Sequence, residues 1–429
     1  MKRPKYPFHH TVPIKAAISM KLILAGAVCA GSLPPGLSTA AQDLRVESDA
    51  AAAIVPYVSS DNLGVLYQDS HNRILERFGF SGEFQLQYAS GESNHGSFGS
   101  KDIPARSRWE EIEVRRLRVG FLSEWFDVFK FYGNMDINPQ LDPVYKDLYD
   151  LALTYAPNDA FNLSIGKSKA RWFTQEYNTR TRELIVFEQA LLVSTLVPQQ
   201  LTGIWITGKA DHWVSALAGF AGDNETAISR FNRGAVIQSE VGYDFASELK
   251  VDTALVKFDY QKSSSPGNSN GPGKFSNAFS LNTTYQQGRF YACSDMLGAI
   301  GQGTQGDAWG VELTPTYFLI EHQLQLVLRY QFAHGDNAGL HLQSRYEGLA
   351  SGMIATKGAG RDYNAAYLGL NYYIHGHNLK LMAGEEFNSM TGGKQNFNGW
   401  TTLLGRAVAW QSVRCLFQKD FSTFSRLWP

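Results

Sequence analysis

The feature that most constrains this chain is an alternation of apolar and polar residues that first becomes clear near Phe80. In the stretch FSGEFQLQY, the apolar side chains of Phe84 and Leu86 alternate with the polar side chains of Glu83 and Gln85. Successive side chains of a β-strand point to opposite faces, so a period of two predicts a strand with one apolar face. The pattern recurs along most of the chain, which favours one large sheet over a set of helices.

About sixteen segments carry this alternation, the first five before residue 166 and the others after residue 201. They lie near residues 80–88, 115–121, 129–137, 149–155, 161–165, 202–209, 212–221, 234–244, 249–260, 275–287, 289–298, 306–318, 322–333, 362–374, 377–388 and 401–417. Many of them span about 9–11 residues, which is the length of a tilted strand that crosses a membrane.

The composition favours a membrane barrel over a soluble β-protein. Charged residues make up only 18% of the chain, below the roughly 25% of soluble proteins, yet the mean hydropathy is slightly negative at -0.24. A transmembrane barrel combines these properties because only every second strand residue faces lipid. A soluble sandwich also alternates, but its outer face is usually charged, and no repeat of about 40–50 residues supports a propeller. We therefore predict an all-β fold, a transmembrane antiparallel β-barrel of about 16 strands.

The connections between these segments alternate in length. Residues 244–248 and 375–377 form short turns, whereas residues 263–273 and 335–360 form long loops rich in Gly, Ser and Asn. Short turns at one end and long loops at the other are typical of outer-membrane barrels.

The N-terminal region predicts export. A basic start is followed by the apolar run 22–30 and by small residues before Gln42, so residues 1–41 read as a signal peptide. We predict a periplasmic N-terminal segment over residues 42–77 and the barrel over residues 78–429. No later run approaches the roughly 20 apolar residues of a spanning helix, so the predicted location is the outer membrane of a Gram-negative cell, with its lipid as a partner. The net charge of -1 gives no reason to expect a nucleic-acid partner.

One long connection, about residues 167–201, carries a cluster of cations inside this pattern of short strands. Loops of this length are uncommon and tend to be functional. A solvated surface loop is the simpler interpretation, but a basic loop folded into a barrel would form its constriction. The cations of this loop are Lys167, Lys169, Arg171, Arg180 and Arg182.

Four further cations, Arg116, Arg118, Lys130 and Arg329, fall on the polar faces of predicted strands. Rings of Arg and Lys favour anions in a pore, so these four and the five loop cations are the predicted anion-binding residues of the constriction. Structural salt bridges are an equal alternative for each single residue, because carboxylates such as Asp136 lie nearby in the sequence.

Motifs that would indicate other chemistry lack the required context. Residues 301–306 match the dinucleotide pattern G-x-G-x-x-G, but a strand pattern follows instead of a helix, which predicts a hairpin loop. His375 and His377 flank a glycine in a tight turn without a third ligand nearby. We find no catalytic constellation, and we expect no enzymatic activity, no metal and no cofactor.

Three segments resemble the phosphate-selective porin O/P family of Gram-negative outer membranes. They are VRRLRVGFLSEWFDVFKFYGNMD (114–136), LSIGKSKARWFTQEYNTRTRELIVFEQALL (163–192) and AAYLGLNYYIHGHNLKLMAGEEF (365–387). The resemblance implies a 16-stranded barrel, a homotrimer, and a third loop that folds into the lumen and sets pore size and anion preference. Phosphate and polyphosphate are the implied solutes. One departure is that the chain continues past Phe417, whereas such barrels commonly end in an aromatic residue.

Two alternatives to an anion-preferring pore stay open at this point. One is a non-selective general porin, and the other is a non-conducting barrel that acts as an adhesin or an enzyme.

Overall fold

The structure is a computed structural model, and it describes residues 64–93, 98–100, 103–106, 108–158, 160–169, 174, 176, 179–197, 200–223, 225–264, 274–342, 359–393 and 396–411. The strands are β1 (Val65–Gln68), β2 (Leu75–Ser93), β3 (Phe98–Ser100), β4 (Ile103–Arg106), β5 (Arg108–Trp125), β6 (Phe129–Ile137), β7 (Tyr145–Asn158), β8 (Phe161–Ser168), β9 (Leu201–Ala210), β10 (Trp213–Ala221), β11 (Ala235–Asp244), β12 (Thr253–Ser263), β13 (Phe275–Gln287), β14 (Phe290–Gly301), β15 (Ala308–Ile320), β16 (Leu324–Gly335), β17 (Leu340–His341), β18 (Ala359–Gly360), β19 (Asp362–His375), β20 (Leu379–Thr391) and β21 (Phe397–Gln411). The described helices are short: α1 (Leu191–Leu196), α2 (Ala246–Leu249) and a 3₁₀ turn (Asp336–Ala338).

The main sheet closes on itself into a barrel. It contains 17 strands, of which β1 pairs with β2 alone, so that sixteen (17 − 1) form the cylinder. Neighbouring strands along the chain pair antiparallel, and β2 pairs with β5 on one edge and with β21 on the other. Ser81 faces Gln411 across the closing seam. The predicted all-β barrel of about 16 strands is therefore confirmed.

The burial of the side chains follows the predicted alternation. On β16, Leu328 and Tyr330 are 44% and 49% exposed, whereas Arg329 between them is 3% exposed. On β7, Leu153 is exposed and Thr154 is buried. The apolar set thus forms the outer face of the barrel and the polar set lines its interior, as the period of two predicts.

The N-terminal part of the barrel differs from the prediction. The first barrel strand begins at Leu75 instead of Phe78, and β1 lies within the segment predicted to be periplasmic. β1 pairs with the part of β2 that lies past the end of β21, so that Val65 faces Gly79. The strand is only four residues long and has no clear alternation, which is why the pattern did not reveal it.

Most other boundaries agree with the prediction to within a few residues, but β5 begins at Arg108, seven residues before the predicted start at 115. β12 begins at Thr253 instead of 249, because α2 and the left-handed residue Lys250 complete the preceding turn. The hairpin predicted for residues 301–306 joins β14 to β15. β21 spans Phe397–Gln411, and residues 412–417 of the predicted last strand lie outside the described residues. In the part of the chain that the structure describes, no helix is long and apolar enough to cross a membrane.

Candidate functional site

The long connection between β8 and β9, residues 169–200, is called the lumen loop here, and its described residues lie inside the barrel. Near the end of β8, Gly166 has a φ of +146°, a conformation that residues with a side chain rarely adopt. A Cβ atom at Gly166 would lie 2.0 Å from the carbonyl oxygen of Leu151 on the neighbouring strand. Glycine at this position therefore permits the close approach of β8 to β7 two residues before β8 ends at Ser168.

Helix α1 of the lumen loop packs on an alanine-rich part of the inner wall. Leu191, Leu192, Val193 and Leu196 are buried in one apolar cluster, and the wall residues of this cluster include Ala278, Ala299, Ala308 and Ala333. A Cβ atom at Gly310 would lie 2.8 Å from Cδ2 of Leu192, so this glycine makes room for the helix. Small wall residues thus create the space that α1 fills.

A second apolar contact holds the part of the loop that precedes α1. Val186 and Phe187 are buried against Val327, Tyr367 and Leu403 of the wall. Two polar wall residues donate hydrogen bonds to the loop backbone: the Asn371 amide to Ile185 O at 2.9 Å, and Lys380 Nζ to Leu184 O at 2.5 Å. The loop is therefore held by shape and by hydrogen bonds together.

Arg329 of β16 bonds to two parts of the lumen loop and to the wall. Its guanidinium donates to Glu176 Oε1 at 2.8 Å, to Glu188 O at 2.7 Å and to Glu386 Oε2 at 2.7 Å. Glu176 also accepts the Ala190 N–H at 2.6 Å, so it ties the start of the loop to the start of α1. Burial raises the pKa of Glu176 to about 7, against the opposing effect of Arg329.

Three arginines of β5 lie on the lumen side: Arg116 and Arg118 by alternation, and Arg115 because of a bulge in the pairing of β5 with β2. Gln85 faces Arg116 and Leu86 faces Val114, which leaves Arg115 as the extra residue. Strict alternation would place Arg115 on the lipid face. The bulge instead brings its guanidinium to the loop, where it forms two hydrogen bonds with the Glu188 carboxylate at 2.8 and 2.9 Å.

Arg118 and Arg116 differ in their partners. Arg118 donates to Glu83 at 2.9 Å, to Asp136 at 2.5 Å and to the loop hydroxyl of Thr181 at 2.7 Å. Its guanidinium also lies 3.5 Å from the ring centre of Tyr149. Arg116, by contrast, donates to the neutral amide oxygen of Gln85.

The lumen loop carries its own small ion-pair group. Arg180 and Arg182 lie 4.0 and 3.4 Å from Glu183. Burial opposes the ionisation of Glu183, but Arg180 and Arg182 outweigh it and lower the pKa of this carboxyl. Two guanidinium groups thus share one carboxylate at this point of the lumen.

The structure separates the predicted site residues into several places. Arg116, Arg118 and Arg329 lie on the inner wall beside the loop, with Arg180 and Arg182 on the loop itself. Lys130 is half-buried on β6, in register with Thr154 of the inner face. Lys169 is buried where the loop begins. Arg171 lies outside the described residues.

Lys167 does not belong to the lumen. Its strand neighbours Ser164 and Ser168 bond to Thr154 and Asp150 on the inner face, so the intervening alternation turns Lys167 outward. There its ammonium pairs with Asp147 at 3.1 Å and donates to a backbone oxygen of the β10–β11 connection.

Sequence analysis missed several lumen residues that the structure brings together. Lys257 pairs with Glu240 at 2.6 Å, and the carboxylates of Asp259 and Asp295 accept backbone N–H groups of the lumen loop. These residues occupy inward positions of correctly predicted strands. The sequence feature that could have revealed them is the set of acidic residues at inward strand positions, because a basic loop in a lumen needs carboxylates on the wall to hold it.

A closed sixteen-strand barrel with a long loop folded inside is the architecture of an outer-membrane porin. Consistent with this, the family model for phosphate-selective porin O and P matches residues 89–317, and the chain belongs to that family. A comparison with curated protein sequences found no match.

Solved structures with the same fold include several outer-membrane proteins. Pseudomonas putida OprB is 12% identical with a TM-score of 0.51 and covers 77% of this chain and 94% of its own. Salmonella typhi OmpF, solved with daunomycin, is 9% identical with a TM-score of 0.51 and covers 77% of this chain and 97% of its own. The Acinetobacter baumannii channel DcaP is 12% identical with a TM-score of 0.50 and covers 80% and 100%. At these identities the likeness concerns the fold alone.

Proposed function

We propose that this porin passes small anionic solutes, phosphate and polyphosphate among them, by passive diffusion past the lumen loop. The observation that carries the proposal is the position of Arg116. Among the described hydrogen bonds, the guanidinium of Arg116 meets a neutral amide, whereas Arg115 and Arg118 meet carboxylates. A cation beside a neutral partner keeps its charge available to a passing anion. The low-dielectric barrel wall strengthens the electrostatic attraction between them.

The other predicted cations divide into two roles in this proposal. Arg180 and Arg182 share Glu183, so this group adds net positive charge to the constriction. We propose the same role for Lys169, Arg171 and Lys130. Arg118 and Arg329 position the loop, because Arg118 donates to Thr181 and Arg329 donates to Glu176 and to Glu188 O, while wall carboxylates pair with both arginines. Lys167 instead holds the β10–β11 connection on the outer face of the barrel. The proposed assembly is a homotrimer in the outer membrane, which chemical cross-linking of membrane preparations would test.

The test is the reversal potential of single channels across a salt gradient, with Arg116→Gln compared with Lys167→Gln. Both changes remove one positive charge, but only Arg116 faces the lumen. We expect an anion-selective wild type, a shift toward cations for Arg116→Gln, and unchanged selectivity for Lys167→Gln. The shift should shrink at high salt, since the Debye length falls from about 10 Å at 0.1 M to about 3 Å at 1 M.

Two results would count against the proposal. Equal selectivity of the wild type and Arg116→Gln would favour a general porin or another filter residue. A folded protein that carries no current in a bilayer would favour a non-conducting barrel.

A further inference from the structure

The β10–β11 connection, residues 222–234, bonds to a part of β7 that β8 leaves unpaired; we call it the rim loop. β8 pairs with β7 only from Leu151 to Asn158, because the chain then leaves for the lumen. The edge of β7 beyond Leu151 would otherwise lack a neighbour. There the Leu148 N–H donates to Thr226 O of the rim loop at 2.9 Å, and Tyr145 Oη donates to the same oxygen at 3.2 Å.

The rim loop lies on the outer face of the barrel. Lys167 and Thr202 are directly paired across β8 and β9, and they follow the exposed pair Ile165 and Ile204 on the same face. Lys167 Nζ donates to Glu225 O at 2.8 Å. The Ser229 N–H donates to Thr202 Oγ1 at 2.9 Å. The loop therefore covers the first polar row above the apolar outer belt, at the end that carries the long connections.

Internal bonds give the rim loop a defined shape. The Asp223 carboxylate accepts the Ser229 hydroxyl and, at 3.2 Å, the Arg230 N–H, and the Phe231 N–H donates to Ser229 Oγ at 2.8 Å. Phe231 has a φ of +54°, a left-handed conformation that is unusual for a bulky residue. Such conformations persist only where the surrounding bonds hold them.

This shape presents cations next to apolar side chains. Ile228 and Phe231 are 44% and 65% exposed, and Arg230 and Arg233 are exposed beside them. Guanidinium groups suit phosphate oxygens, and exposed apolar side chains insert at the boundary between head groups and acyl chains. An arrangement of this kind at the level of the membrane surface matches an anionic lipid in both respects.

We propose that Arg230 and Arg233, with Ile228 and Phe231, form a binding surface for a lipid of the outer leaflet whose head group carries phosphate. The arginines bind the phosphate, and the two apolar side chains contact the adjoining acyl region. The inference rests on the outer-membrane location of the porin but not on its ion selectivity. Solute selectivity and lipid binding are therefore tested by separate measurements.

The experiment uses the purified full chain in micelles of a neutral detergent, titrated with phosphatidic acid or with phosphatidylcholine of identical acyl chains. Lipid binding is measured by native mass spectrometry for the wild type and for Arg230→Gln/Arg233→Gln. The matched control is Lys250→Gln/Arg289→Gln, which removes two exposed cations at the end with the short turns. Mobility on unboiled gels checks that each protein is folded.

We expect the wild type to prefer phosphatidic acid, and we expect the rim-loop variant to lose about fivefold in affinity per arginine, about 25-fold in all. The control should bind like the wild type. Ile228→Ser should weaken binding of both lipids, because it removes apolar contact and leaves the charge unchanged.

Several results would overturn the proposal. Equal affinity of the wild type and the rim-loop variant would remove the arginines from the surface. Complete displacement of lipid by an equal concentration of inorganic phosphate would indicate a simple anion site. Dissociation of an oligomer by the rim-loop variant, with lipid binding intact, would indicate a contact between subunits.

Discussion

The three arginines of β5 show how one extra residue in a strand pair changes what a side chain can reach. Strict alternation correctly places Arg116 and Arg118 inside, but it places Arg115 outside. A cation facing lipid at the midplane costs roughly 2–4 kcal/mol, so the doublet Arg115–Arg116 was itself a sign of a bulge. The position of that bulge depends on β2, and no pattern within β5 alone could give it.

Lys167 is the opposite case at the same scale. Its place in a basic cluster predicts a lumen residue, yet its strand turns it outward under the rim loop. Its partners lie in residues 147 and 225, which are distant from one another in sequence. A charge count along the chain cannot distinguish a cation that faces an ion path from a cation that holds a loop.

Glu176 gives a pH prediction. Its pKa is raised from 4.5 to about 7 by burial, so the seated loop favours the protonated carboxyl. The contribution of this carboxyl to the stability of the seated loop is fully present below about pH 4.5 and is lost as the pH rises through 7, a difference of roughly 3 kcal/mol. Asp295 and Glu312 lie within electrostatic reach and add repulsion once Glu176 ionises, while Arg329 opposes it.

We therefore expect single-channel current noise to increase between pH 5.5 and pH 8.5, because an ionised Glu176 loosens the loop (a window that brackets the value of about 7). Glu176→Gln removes this titration and should make the noise independent of pH over the same range. The matched control is Glu248→Gln, an exposed carboxyl in a short turn. A pH response that persists in Glu176→Gln would assign it to another group.

At the scale of the element, the lumen loop was predictable in position but not in its contacts. Its length and its cations are visible in the sequence, and its short helix α1 lies within the predicted bounds. The wall residues that make room for the loop are glycines and alanines of β13 to β16 and of β21. Such residues read as ordinary members of a strand until the loop that occupies their space is known.

The contact between Gly405 of the wall and Phe187 of the lumen loop provides a direct test of this element. A Cβ atom there would lie 2.6 Å from Cε1 of Phe187, so Gly405→Val should displace the ring and destabilise the loop by about 1–3 kcal/mol. We expect larger current fluctuations and an altered conductance in bilayers.

Gly405→Val combined with Phe187→Ala should restore part of the steady current, because the smaller side chain removes the clash. Coupling of this kind between neighbouring sites is what a double-mutant comparison measures. If the double variant behaves as the sum of the two single variants, Phe187 and Gly405 do not act on each other.

For the whole molecule, the period of two was sufficient to give the strand number, the two faces and most strand boundaries to within a few residues; the early starts of β2 and β5 were missed. It worked because lipid on one side and a polar lumen on the other impose one rule on every strand. The same rule does not specify β1, which is short and lies outside the cylinder. It also does not specify bulges, which shift the register without changing the average pattern.

The face assignment makes a prediction about the whole barrel. Leu328→Arg places a cation on the outer face and should reduce folding yield in liposomes, since the cost at the bilayer midplane is roughly 2–4 kcal/mol. Leu328→Phe is the control, because it keeps the face apolar. The measurement is the fraction of protein that migrates as the folded form on unboiled gels, and equal fractions for the two variants would contradict the assignment.

The seam between β2 and β21 has a consequence for the order of assembly. Ser81 and Gln411 are 330 positions apart along the chain (411 − 81), so this pairing has a high loop-closure entropy and we expect it late in folding. Until then the edge of β2 is unpaired and open to other chains. β1, by contrast, is joined to β2 by a short local turn and needs no distant partner. It can therefore cover part of that edge during the slow interval before the two ends of the barrel meet.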